Sequence, residues 1–357
     1  MKTSIFVSAI LVALAVILLA WKNFSSAKVT DAFPPGLYPV PVKGKWGFMD
    51  GRGKMVIHPQ FDHADDFHMG IAAVSKKTED GGLEKYGFID TTGKQVVDFK
   101  FENVSSFQNQ LCRVMIGNKY GFTDMAGKLV VPCIYDDASS FSEGLACVRI
   151  NGKNGFVDTK GNMVIEPAFD RACWVSDFSE GLAAVYNADG TAGYIDRTGN
   201  YKIGPAFSYV SAFSEGLALV KKTGDDKYGY IDAKGNMVIA PQYDLSLPFR
   251  EGVATVKIVK PDGRIVYRII DKQGNAKSAD LHYLFTGIFS EGLAGVENES
   301  HQWGFIDQQG RLVIEAKYAG VSLFKNGLSR MQTGSLFGGL KTVYINQQGT
   351  VIWKQSN

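Results

Sequence analysis

Two hydrophobic patterns divide the chain. From Ser4 to Trp21 the residues are uncharged and mostly apolar, an unbroken run of 18 flanked by Lys2 and Lys22. Beyond Gly36 no such run returns and no useful helical period appears; short β-branched and aromatic stretches alternate with breaks rich in glycine, aspartate and proline. The first pattern predicts one N-terminal hydrophobic helix. The second predicts an all-β domain of many short strands joined by tight turns.

The second pattern is a tandem repeat. Asp50, Asp90, Asp124, Asp158, Asp196, Asp232, Asp271 and Asp307 recur at steps of 34 to 40 residues, and Asn346 stands as the ninth. Three residues after each comes a glycine: Gly53, Gly93, Gly127, Gly161, Gly199, Gly235, Gly274, Gly310 and Gly349. Aspartate bonds backbone amides further along its own turn and glycine takes positive φ, so each Asp-x-x-Gly is a hairpin turn. An aromatic precedes the aspartate by two residues, as in Phe48, Phe156 or Tyr230, with Ile269 the one substitute; a β-branched run such as Met163-Val164-Ile165 follows it.

Prolines at 59, 132, 167, 205 and 241 interrupt that second strand, and lacking an amide donor they should end its pairing. A phenylalanine then precedes a strand of the type Gly144-Leu145-Ala146-Cys147-Val148, whose consecutive apolar residues imply burial on both faces. Repeats of this length are supersecondary units that stack. About nine fit between residues 36 and 357, the last cut short at Trp353, as a propeller or as an open β-array.

Aromatic-Gly-aromatic-Ile-Asp, x-x-Gly-Lys, Val-Ile-x-Pro and Phe-Ser-Glu-Gly-Leu-Ala-x-Val, in that order, resemble the WG repeat of bacterial surface and secreted proteins. The resemblance covers residues 36 to 353. Asn154, Ala192 and Thr342 depart from it at the tryptophan position, and Arg268 and Val343 at the glycine. Those units are expected to be opened or capped.

The amino end carries the address. Eighteen apolar residues lie between the core of a cleaved signal peptide and a full bilayer span, so residues 1–28 are a signal anchor or a signal peptide, and 29–35 a linker. Either exports the repeat domain. Single-pass anchoring in a bacterial inner membrane, or a secreted or periplasmic protein after cleavage, are the two expectations. Cys112, Cys133, Cys147 and Cys173 would then meet an oxidising compartment, although small buried thiols are the plainer reading of their spacing.

Candidate chemistry changes this picture little. A net charge of +2 gives no field for nucleic acid. Eight aspartates on equivalent turns suggest a row of cation sites, but no second acid recurs beside them as a calcium loop needs. Glu143, Glu180, Glu215, Glu251 and Glu291 suggest glycosidase acids, yet a glycosidase needs one pair at a fixed separation. His58, His63 and His68 with Asp62, Asp65 and Asp66 form the one local set resembling metal ligands, at a spacing that scatters them over a strand.

No catalytic, cofactor or metal residue is therefore expected. Trp46, Tyr86, Tyr120, Tyr228, Tyr267 and Trp303 open equivalent strands; facing inward they are core, facing outward a stacking ladder for sugars. The variable stretches 76–84, 187–191, 222–226 and 257–264 fall between the same two strands and should share one edge. The expected function is a non-enzymatic binding scaffold with a protein or glycan partner. A propeller-type hydrolase or lyase on an envelope glycan is the alternative.

Overall fold

The computed structural model describes residues 36–78, 82–172, 177–335 and 339–356. The apolar run and the linker lie outside the described residues. Among these residues no helix is long and apolar enough to cross a membrane. Every regular element is a strand, and all strand pairs are antiparallel between neighbours in the chain.

Repeat 4 shows the unit. Asp137–Ala138, Leu145–Ile150, Lys153–Asp158 and Met163–Phe169 pair in chain order as a four-stranded meander. The second and third strands are buried along most of their length, while the outer strand alternates and exposes Val164. Repeats 2, 3, 8 and 9 repeat this order. One residue, Asp62 in repeat 1 and Asp136 in repeat 3, separates an outer strand from the short strand that opens the next sheet. At Ser208 that break is missing, so Tyr201–Val210 runs as one strand and joins repeats 5 and 6 in a six-stranded sheet. Nine sequence repeats thereby fold into the eight sheets of a β-propeller.

The array closes. Tyr344 of repeat 9 donates a hydrogen bond to Pro39 O of repeat 1, Tyr38 donates to Asn326 O, and Tyr38, Val40, Met49, Leu328 and Tyr344 form one apolar cluster. Elsewhere, except at repeat 7 where Ile269 takes the aromatic's place in the cluster with Phe289, each repeat grips the next through an aromatic pair: Phe122 with Phe141, Phe156 with Phe178 and Tyr230 with Phe249 lie 4.5, 5.0 and 4.8 Å apart between ring centroids. Such pairs add about 0.5–1.5 kcal/mol beyond the area they bury.

Pairing does not stop at the prolines. Pro167 lies inside the outer strand, and Phe169 beyond it still pairs with Asn154 after a bulge. Proline is tolerated because this is the edge strand, where its missing donor would face away from the sheet. The bulge also explains the glycine of the repeat. A Cβ at Gly155 would lie 2.5 Å from Ile165 O and 2.8 Å from Pro167 N, and Gly47, Gly121 and Gly229 meet the same obstruction. Where Arg268 replaces it, no bulged outer strand follows; Leu281 and Ala276 make single bridges instead. Val343 pairs directly with Lys354.

Of the departures at the tryptophan position, Thr342 is half-buried, and Asn154 and Ala192 are sealed, not opened. Asn154 is buried and its amide donates to Phe169 O and Asp170 O, and Ala192 is fully buried.

Candidate functional site

The two ends of the meanders carry different chemistry. At one end lie the Asp-x-x-Gly turns. Asp158 Oδ1 accepts from Lys160 N at 2.9 Å and Asn162 N at 2.8 Å, and Gly161 takes φ +86°. Asn346 accepts the same two bonds in the ninth copy, so the task needs an oxygen and not a charge. The Thr198 hydroxyl, with the turn amides, holds the Asp196 carboxyl down at about 2. These aspartates are occupied by their own turns.

The glutamates share that end and do more than cap their own turn. Glu143 accepts from Glu180 N and Gly181 N of the next repeat at 2.7 and 3.0 Å. Glu180 passes the link to Gly216, Glu215 to Gly252, Glu251 to Glu291 and Gly292, and Glu291 to Gly327. All five stand in the left-handed region, with φ between 51° and 56°. Burial pushes the Glu215 carboxyl up, but the Gly252 amide and Lys272 outweigh it and its pKa is lowered. Ser142, Ser179, Ser214 and Ser290 run a parallel set of hydroxyl bonds to the carbonyls of Phe178, Phe213, Phe249 and Phe324.

At the opposite end lie the hairpins between second and third strands. The four variable stretches join Ile71–Lys77 to Glu84–Asp90, Ala183–Tyr186 to Ala192–Ile195, Leu217–Lys222 to Tyr228–Asp232 and Val253–Val259 to Ile265–Asp271. Trp46, Tyr86, Tyr120, Tyr228 and Trp303, each in the strand that follows such a hairpin, are half-buried and pack on the rim of their own repeat's core. Tyr267 is buried outright and donates to Leu284 O. The six aromatics are therefore core residues first, and five of them keep an exposed flank.

His63 lies between two of them, with its ring centroid 5.9 Å from Trp46 and 6.2 Å from Tyr86. Its Nε2 pairs with Asp65 at 3.0 Å; this bond raises the imidazole pKa against the opposing effect of burial. Tyr209 against Tyr228 and Phe285 against Trp303 repeat the arrangement at 5.3 and 5.8 Å. Lysines paired to the hinge acids complete this edge: Lys45 with Asp62, Lys85 with Glu102, Lys119 with Asp136, Lys153 with Asp170 and Lys227 with Asp244. Each pair is 17 residues apart, a spacing legible in the sequence once the repeat is aligned. Exposed pairs of this kind are worth about 0–1 kcal/mol each.

The closure holds a cavity of about 390 Å³. Tyr38, His63, Asp66, Lys325, Arg330 and Tyr344 line it, and Lys325 spans it to Asp66 at 2.9 Å. Burial, then the charges of Glu291 and Asp66, push the Tyr38 hydroxyl up to about 12. His58 stands apart and exposed, and no group of three or more metal-ligating side chains occurs among the described residues. Of the cysteines, Cys112 and Cys133 are free thiols, as the plainer reading expects, whereas Cys147 is disulfide-bonded.

A model of the WG containing repeat matches residues 46–77, 86–120, 120–153, 155–189, 193–225, 228–258 and 303–337. No match is found among curated proteins. Of the solved structures, a eukaryotic initiation factor aligns with a TM-score of 0.61 at 12% identity, over 89% of this chain and 95% of its own. The computationally designed Ika8 protein aligns at 0.48 and 14% identity, over 79% of this chain and 95% of its own. BamB from Moraxella catarrhalis aligns at 0.45 and 13%, over 86% and 93%. At such identities the likeness concerns the fold alone. The matched repeats, the turn at each aspartate and the close approach that demands each strand glycine agree: this chain belongs to the WG-repeat family.

Proposed function

We propose that the chain is an exported, non-enzymatic binding scaffold, held at the outer face of a bacterial inner membrane, that presents its variable-hairpin edge to a protein or glycan partner. One observation carries this reading. The four variable hairpins join the same two strands of their repeats, at the end where five aromatics keep exposed flanks. Repeat folds vary where they bind and repeat where they pack.

The test replaces residues 187–191, 223–226 and 260–264 by glycine-serine segments of equal length, which leaves the strands Ala183–Tyr186, Leu217–Lys222 and Val253–Val259 and their partners intact. Membrane extracts are crosslinked to the full chain and to this variant, and both are applied to immobilised envelope glycans. Loss of protein crosslinks supports a protein partner, and loss of glycan retention a glycan. Equal binding by both forms would overturn the reading.

The apolar run Ser4–Trp21 and the disulfide at Cys147 support the address, since disulfides persist in oxidising compartments. Deleting residues 1–28 should release a folded, soluble protein. A reporter enzyme that works only in the cytoplasm, if active when fused after Asn357, would overturn export.

A further inference from the structure

The glutamate links stop at defined places. They span five consecutive junctions, from Glu143 of repeat 4 to Gly327 of repeat 9. At the equivalent turn positions repeat 9 has Asn326, repeat 2 has Met69 and repeat 3 has Asn109 followed by Gln110 in place of glycine. Asn326, Met69 and Asn109 keep the left-handed φ of 50–51°. The backbone is therefore bent in the same way, but no carboxylate reaches the next repeat. Asn326 already sits where a link would begin, its Nδ2 3.6 Å from a Cβ built on Gly36.

Both sides bear the backbone cost, and only one side recovers it in bonds. A side chain in the left-handed region is strained, and asparagine bears the strain more easily than glutamate or methionine. Five glutamates accept it, and each returns one or two charge-assisted bonds to amides of the following turn. Between repeats 9 and 4 the described residues offer other ties in place of a glutamate link: the Tyr344–Pro39 and Tyr38–Asn326 bonds of the closure, the exposed Lys325–Asp66 pair, Lys100 to Gly127 O and Arg113 to Ala138 O.

We infer that the propeller has a built-in opening arc, repeats 1 to 3, which separates from its neighbours more readily than repeats 4 to 9. Local opening follows the cooperative units of a fold, and units with fewer ties open at lower free energy. The arc supplies one wall of the closure cavity, the other being repeat 9, and contains the Trp46–His63–Tyr86 stack, so its opening changes the surface there while the glutamate-linked arc stays rigid. The inference stands apart from the binding proposal.

Native-state hydrogen exchange on the full chain in detergent micelles tests it. Strand amides between residues 37 and 124 should exchange about tenfold or more faster than those between 182 and 328, in the manner of sub-global opening. Met69→Glu with Asn109→Glu should slow exchange in the first arc severalfold and leave the second unchanged. Glu180→Gln, which keeps the shape and removes the charge, should speed exchange around Gly216. Uniform exchange over both arcs would overturn the inference. So would a first arc indifferent to the two new glutamates in a chain that folds normally.

Discussion

The turn end of the repeats and the hairpin end solve opposite problems with one backbone. At the turn end every recurring polar group has a recurring partner: Asp158 serves its own amides, and Glu143 serves those of the next repeat. At the hairpin end the recurring pieces are a half-buried aromatic and an exposed lysine–acid pair, and the loops between them differ in length and charge. Identical chemistry at the first end sets the stacking, which leaves the second end free to vary. A surface whose donors and acceptors are already paired has little to offer a ligand.

The sharpest break of this comparison is Gly161→Val. Its φ of +86° excludes a β-branched side chain, and a Cβ there would lie 3.1 Å from Val131 Cγ2 of the preceding repeat. A loss of about 2–3 kcal/mol is expected, read as a lowered melting temperature. Glu180→Ala removes the exposed bonds to Gly216 and should cost about 1 kcal/mol, seen in the denaturant midpoint.

His63 predicts a pH effect. Its folded pKa is raised by Asp65, so the stabilisation is fully present below the ordinary histidine value of about 6.5 and is lost as pH rises through the folded value. The melting gap between wild type and His63→Gln should therefore shrink from about pH 5 to about pH 8. A gap that widened would contradict the Asp65 pairing. The smallest effect is Asp158→Asn, within about 0.5 kcal/mol, because Asn346 already performs that turn. A cost matching that of Gly161→Val would refute the distinction between turn oxygen and turn backbone.

Much of the fold was legible because its signals are local. Asp-x-x-Gly reports a turn wherever it occurs, and buried runs such as Leu145–Val148 report strands covered on both faces. The misreading at the prolines has a local cause too. Pro167 does remove a donor, but only the partner strand reveals that the donor would have pointed outward and that a bulge carries pairing on to Phe169. The glutamates resisted sequence reasoning for a different reason. Glu143 and the amides it binds are 37 and 38 residues apart, so no window within a single repeat contains the interaction.

By itself the sequence determined the all-β class, the repeat, its turns and the apolar amino-terminal run, since each depends on neighbours within a few residues. Closure was decided elsewhere. Tyr344 and Pro39 are 305 positions apart, and whether such ends meet depends on the small rotation added at every repeat. The same holds for the cavity at the closure and for His63 between Trp46 and Tyr86. Residues that share no local pattern become neighbours only when the stacked sheets bring them together.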